Sequence, residues 1–290
     1  MGNIPILSRK EIERGYVVAR SLRRKLNDGN WVYVSEGNQL LMLSNEIVSQ
    51  LDSPQLMTKE SLKELIDSGI MVEKSYQRSE RVSLVEEPDN NLFKFFSVMI
   101  DICGITPFTI CIIILFTTEL PFENAVNVLF TNPLIFFLIA IPVSIISTAL
   151  HERMHIIFSG NSKKVSLNIA KAVATVPMTH VWTWSKLGRV TSIISGMSLD
   201  AILLLVTLEM LNNRIEFTSI AASILITRIF WQFLIIKKTD INILVSFIAD
   251  NPFYFEDANM EISIIFKIIS FSILLMMIWL WLQPIINQFI

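Results

Sequence analysis

Five stretches in the later two-thirds of this chain are each about 20 residues long and almost wholly apolar, which is the length and character needed to cross a lipid bilayer as a helix. They are Phe95–Thr118, interrupted only by Asp101; Ala125–Leu150, with no charge; Val190–Leu208, with Asp200; Phe217–Ile236, with Arg228; and Ile262–Leu282, with Lys267. The apolar run Ile241–Ala249 is too short to cross and reads as a re-entrant or interfacial piece. Charge is divided to match. Residues 1–94 carry 27 charged side chains, and the 196 residues after them carry only 23. A single soluble globule is excluded. The expected architecture is a mainly α membrane protein with about five transmembrane helices (93–290), preceded by a small α/β domain and linker (1–92).

The formal net charge of −2 and the absence of any long basic run give no sign of a nucleic-acid surface. Cys103 and Cys111 are the only cysteines, both in apolar sequence, too few for a disulfide framework and read as small core residues. The start, MGNIPILSRKEIERGY, has neither a basic n-region nor an apolar stretch of secretory length. With the N-terminus inside, inner segments collect Arg78, Arg81, Lys94, Lys163, Lys164, Lys171, Lys186, Arg189, Lys237 and Lys238, whereas the outer ones hold only Arg214. That asymmetry predicts a cytoplasmic N-terminus in the cell membrane. It also puts the end of the second span and the start of the fifth on one side.

In the N-terminal part, Trp31–Ser35 and Gln39–Leu43 read as strands joined by Glu36-Gly37-Asn38. Asn45 is placed to cap a helix over Glu46–Leu51, Thr58 precedes a second helix stopped at Gly69, and Ile70–Glu73 reads as a last strand. This order makes a small winged-helix-like module. With LSNEIVSQL and LKELIDSGIM in place, Gly15–Lys74 resembles the PqqD-like domain. That resemblance implies capture of a leader peptide of a ribosomally made, modified peptide, the peptide adding a strand beside Trp31–Ser35.

His151-Glu152-Arg153-Met154-His155 is an H-E-x-x-H motif. On a helix, i and i+4 lie on one face, so both imidazoles can ligate one Zn²⁺, and the adjacent Glu152 can serve as general base. Polar residues facing water at a helix end would explain each singly. As a set at a membrane boundary they are costly without a function. A catalytic zinc usually takes a third protein ligand, and His180, Asp200, Asp250 and Asp257 are the donors considered.

The motif, with Asn251-Pro252-Phe253 preceding Asp257 and Ser195-Gly196-Met197-Ser198-Leu199-Asp200 in the third span, resembles the site-2 protease family of intramembrane metallopeptidases. The resemblance implies zinc held by His151, His155 and Asp257, with Glu152 catalytic and Asp250 the main rival to Asp257. Asp200 stands where that family often has Asn. It would orient a ligating imidazole or help hold the substrate, or else form an ion pair with Arg228. Ala258 and Met154 stand where relatives usually have Gly. Between the second and third spans, Lys163–Trp184 reads as short strands at the membrane surface, and Asp101 and Lys267 as groups facing a water-filled path, with Lys267 alternatively reaching to the interface. The implied activity is cleavage of a peptide or membrane-protein substrate, foremost a precursor peptide during maturation or export. Release of a membrane-anchored regulatory factor, or a non-catalytic export or immunity role, are the alternatives.

Overall fold

The computed structural model describes residues 16–35, 39–52, 59–73, 84–160, 166–168, 173–175, 178–215, 217–235 and 239–289. The turn at 36–38, the cap at Thr58 and most of the basic residues used for orientation lie outside these. The chain forms two compact units, one of Met1–Glu87 with Met178–Trp184, the other of Pro88–Pro177 with Ser185–Ile290.

The first unit contains β1 (Tyr16–Val18), β2 (Ser21–Lys25), β3 (Trp31–Ser35), β4 (Leu40–Leu43), α1 (Asn45–Asp52), α2 (Lys59–Asp67) and β5 (Met71–Glu73). Strands β2, β3 and β4 make an antiparallel sheet in that order, and β1 pairs with β5. The expected strands and helices from Trp31 to Glu73 are present. Strand β2 was missed because Ser-Leu-Arg-Arg-Lys offers little apolar alternation, as befits a charged edge strand.

Strand β3 is in the middle. Trp31–Ser35 pairs with Lys25–Ser21 on one side, and Trp31–Val34 with Leu43–Leu40 on the other. The expectation that a peptide adds a strand beside Trp31–Ser35 is therefore overturned, since both of its edges are taken. Its two faces are also covered, which is why WVYVS does not alternate polar with apolar. Tyr33 enters a core with Leu43, Val48, Leu51, Leu65 and Ile70. Val32 and Val34 point the other way and are 0% exposed. On β2 and β3 packs a 3-10 turn, Thr179–Thr183. There Arg24 Nε donates to the Trp182 carbonyl (2.8 Å) and Trp184 Nε1 to that of Val85 (3.2 Å). The C-terminal part of the expected membrane-surface segment thus belongs to the N-terminal unit, and so does His180, buried edge-on against Trp184. Before it, β6 (Ser166–Asn168) and β7 (Val173–Thr175) pair antiparallel in the second unit.

The second unit holds α3 (Asn91–Thr117), α4 (Phe122–Thr131), α5 (Pro133–Ser159), α6 (Lys186–Asn212), α7 (Thr218–Gln232), α8 (Asp240–Ala249), α9 (Tyr254–Asp257) and α10 (Met260–Phe289). Four of these, α3, α5, α6 and α10, are long and apolar enough to cross a membrane. Five spans were expected, and the short α7 accounts for the missing one. Helix α7 has 15 residues, about 22 Å at 1.5 Å per residue, short of a hydrocarbon core of about 30 Å. It is bounded by Phe217 in the left-handed region (φ 61°) and by Phe233. The expected Ala125–Leu150 span divides at Asn132-Pro133. Asn132 accepts from Ile135 N (3.4 Å), and Pro133 needs no donor at the first helical position. Helix α5 consequently runs on to Ser159 and carries the H-E-x-x-H motif within its last three turns.

Helix α6 is the hub, packing against α3, α5, α7 and α8. Half of its most apolar window is buried, against 6% for α10, so α6 sits inside the bundle and α10 on its rim. Small residues permit the close approach. A Cβ on Gly104 of α3 would lie 2.0 Å from Ser198 Oγ and 2.9 Å from its Cβ. Ser198 cannot easily yield, because its hydroxyl donates to the Ile100 carbonyl at 3.1 Å. Gly104→Ala is expected to lower the thermal midpoint of the detergent-solubilised protein by several degrees, whereas Ile105→Ala, on an exposed position, leaves it within about a degree.

Candidate metal centre

The i, i+4 spacing on α5 brings His151 and His155 together, their Nε2 atoms 2.9 Å apart. Both are buried, 4% and 2% exposed. What holds them is a stripe on one face of α6 at residues 192, 196 and 200, one turn apart each. His155 Nδ1 lies 2.7 Å from the Ser192 carbonyl. His151 Nδ1 lies 2.7 Å from Asp200 Oδ2. Between them Gly196 presents no side chain, and a Cβ there would stand 2.7 Å from His155 Nε2 and 2.8 Å from His151 Nε2.

These contacts assign the tautomers. A carbonyl only accepts, and so does an ionised carboxylate, so both imidazoles donate through Nδ1, which in a neutral ring leaves Nε2 as a lone pair. The two lone pairs face each other, and a third acceptor joins them. Asp240, the first residue of α8, places Oδ2 3.0 Å from His151 Nε2 and Oδ1 3.6 Å from His155 Nε2. One ligand atom from each of the three lies within 4.8 Å of the others.

A cluster made only of acceptors calls for a cation. The donor set, two imidazole nitrogens and a carboxylate, is one that suits a transition-metal ion. The gap at Gly196 supplies space beside both nitrogens that a single Cβ would fill. The residues present fit a divalent metal.

Asp200 contacts both the imidazole and the arginine considered for it. It is 0% exposed, meets the His151 ring, and is paired with Arg228, whose Nε is 3.1 Å from Oδ1. Gln232 Nε2 also donates to Asp200, and Arg228 Nη1 donates to Thr148 Oγ1. Glu152 is half-buried beside the site, within electrostatic reach of both imidazoles, Asp240 and Arg228.

Asp257 is not in this group. It is exposed at the end of α9, where Asn251 Nδ2 donates to it at 3.2 Å. The Asn-Pro-Phe segment makes a local turn there, with Phe253 N donating to Asn251 Oδ1 (2.8 Å). The acid that the structure brings beside the two imidazoles is Asp240. Asp250, the rival to Asp257, is buried in an ion pair with Arg189, and Asp101 accepts from Thr191 Oγ1 at 3.0 Å. Asp240 was overlooked because it opens a helix too short to cross. An acid at the start of such a helix, inside a membrane domain, was the available signal. No family model matches the chain, and neither curated proteins nor solved structures yield a match.

Proposed function

We propose that this chain is an integral-membrane zinc endopeptidase in which His151, His155 and Asp240 hold the metal and Glu152 is the general base. The observation that carries this reading is the convergence of two imidazole lone pairs and a carboxylate around a gap at Gly196, one residue away from a glutamate. Asp200 and Arg228 cancel in formal charge, which leaves Asp240 as an anion facing the two lone pairs. A bound zinc supplies Lewis acidity, polarising a peptide carbonyl and acidifying water. Glu152 takes a proton from the attacking water and passes it to the departing amine. Asp200 and the Ser192 carbonyl fix the tautomers of the two imidazoles throughout. A site carried on helices that cross the bilayer restricts cutting to chains that unwind and reach it, because exposed backbone is unfavourable in lipid.

The substrate in this reading is a short precursor peptide, engaged by the winged-helix-like N-terminal unit on the cytoplasmic face of the cell membrane and cut during maturation or export. The support for the orientation is the inner bias of lysine and arginine. The test begins with metal analysis of protein purified in detergent. Wild type and Asp257→Ala are expected to carry about one zinc per chain, and His155→Ala and Asp240→Ala almost none. Chelation is expected to stop cleavage of an unfolded reporter protein, and added zinc to restore it. Zinc retained in Asp240→Ala would remove the proposed ligand set, and zinc binding without any cleavage would favour a non-catalytic role.

A further inference from the structure

We infer that Arg228 is a positioning residue of the metal centre, acting on His151 through Asp200. The inference rests on the reading that His151 and His155 ligate a metal. Arg228 and Gln232 lie one turn apart on the same face of α7, and both donate to the Asp200 carboxylate. Arg228 reaches further, since its Nη1 donates to Thr148 Oγ1. Thr148 lies on α5 one turn before His151. The guanidinium therefore ties three helices together at the level of the imidazole: α7 through its own backbone, α6 through Asp200 and α5 through Thr148.

The role goes beyond pairing a buried acid. Asp200 has no exposed surface, and its Oδ2 stands 2.7 Å from His151 Nδ1. Its place sets which way the ring turns and which nitrogen carries the hydrogen. Partners of this kind are worth about 10–100-fold in metal affinity. Without Arg228, Asp200 would be held by Gln232 and the imidazole alone, and its remaining link to α5 among the described contacts would be the very ring it positions. Lysine is not an equivalent. Its single ammonium cannot reproduce a planar fork that meets a carboxylate with one nitrogen and a hydroxyl with another.

The experiment measures zinc affinity by chelator competition, together with the visible spectrum of the cobalt-substituted protein, in the full chain in detergent. Arg228→Ala is expected to bind zinc about 10–100-fold more weakly than wild type and to shift the cobalt absorption bands, with Arg228→Lys intermediate. Gln232→Leu removes the other donor to Asp200. It is expected to weaken zinc binding in the same direction, and Arg228→Lys keeps the inference testable should Arg228→Ala fail to fold. Wild-type affinity, within twofold, in folded Arg228→Ala or in Arg228→Lys would overturn the positioning role while leaving the metal reading intact. A wild-type protein that binds neither zinc nor cobalt would overturn both.

Discussion

Gly196→Ala is expected to abolish metal binding while the protein still folds, taking zinc from about one per chain to about zero in protein purified at micromolar zinc. The added methyl would stand 2.7 Å from His155 Nε2 and from His151 Cε1. Neither ring can swing away at low cost, because each Nδ1 is held at 2.7 Å, one by Asp200 and the other by the Ser192 carbonyl. Those holding groups lie one turn either side of Gly196 on the same helix, so moving α6 to relieve the clash would carry them along. Met197→Ala, on the adjacent but different face, is the control and is expected to keep its zinc. Full zinc occupancy in Gly196→Ala would show that the lone pairs of His151 and His155 do not share an ion in this gap.

Glu152→Gln is expected to separate binding from chemistry. Glutamine keeps the size and polarity of the side chain but cannot accept a proton at neutral pH. Zinc content should match wild type, because Glu152 is not among the three groups whose ligand atoms converge. Cleavage of the reporter protein should fall about 10²–10⁴-fold, the usual contribution of a positioned general base. Undiminished cleavage in the zinc-loaded variant would eliminate Glu152 from the mechanism. The measurement needs metal content and rate from the same preparation, since a fall in both would report damage to the site and not loss of the base.

Local features were the legible ones. The H-E-x-x-H spacing needs only one helix to bring its imidazoles together, and α5 provides it. The strands and helices from Trp31 onwards carry their own periodicity and caps. Asp200 was recognisable because an acid within an apolar helix is costly without partners, and it has three. What depended on the return of the chain from far away was harder to read. Asp240 is 85 residues beyond His155, and no spacing rule links the two. The Asn-Pro-Phe match drew attention to Asp257, yet that segment satisfies itself through Asn251. Counting apolar residues also overlooked Asn132-Pro133, which starts a helix inside a charge-free run, and it lengthened α7 past the Phe233 cap. The role of Gly196 is a matter of vacant space, for which composition offers no sign until the neighbouring helix is placed.

The turn at Thr179–Thr183 has a bearing on how the protein is made. Val32 and Val34 sit on a sheet face that this turn covers, yet more than 140 residues separate the two in the chain. A ribosome must therefore complete α3, α4 and α5 before it delivers the piece that finishes the first unit. Until then the central strand carries a bare valine pair, an apolar patch left open to water or to a neighbouring chain. The sequence boundary near residue 92 marks where the composition changes, but it is not a place where the polypeptide can be divided into self-sufficient parts.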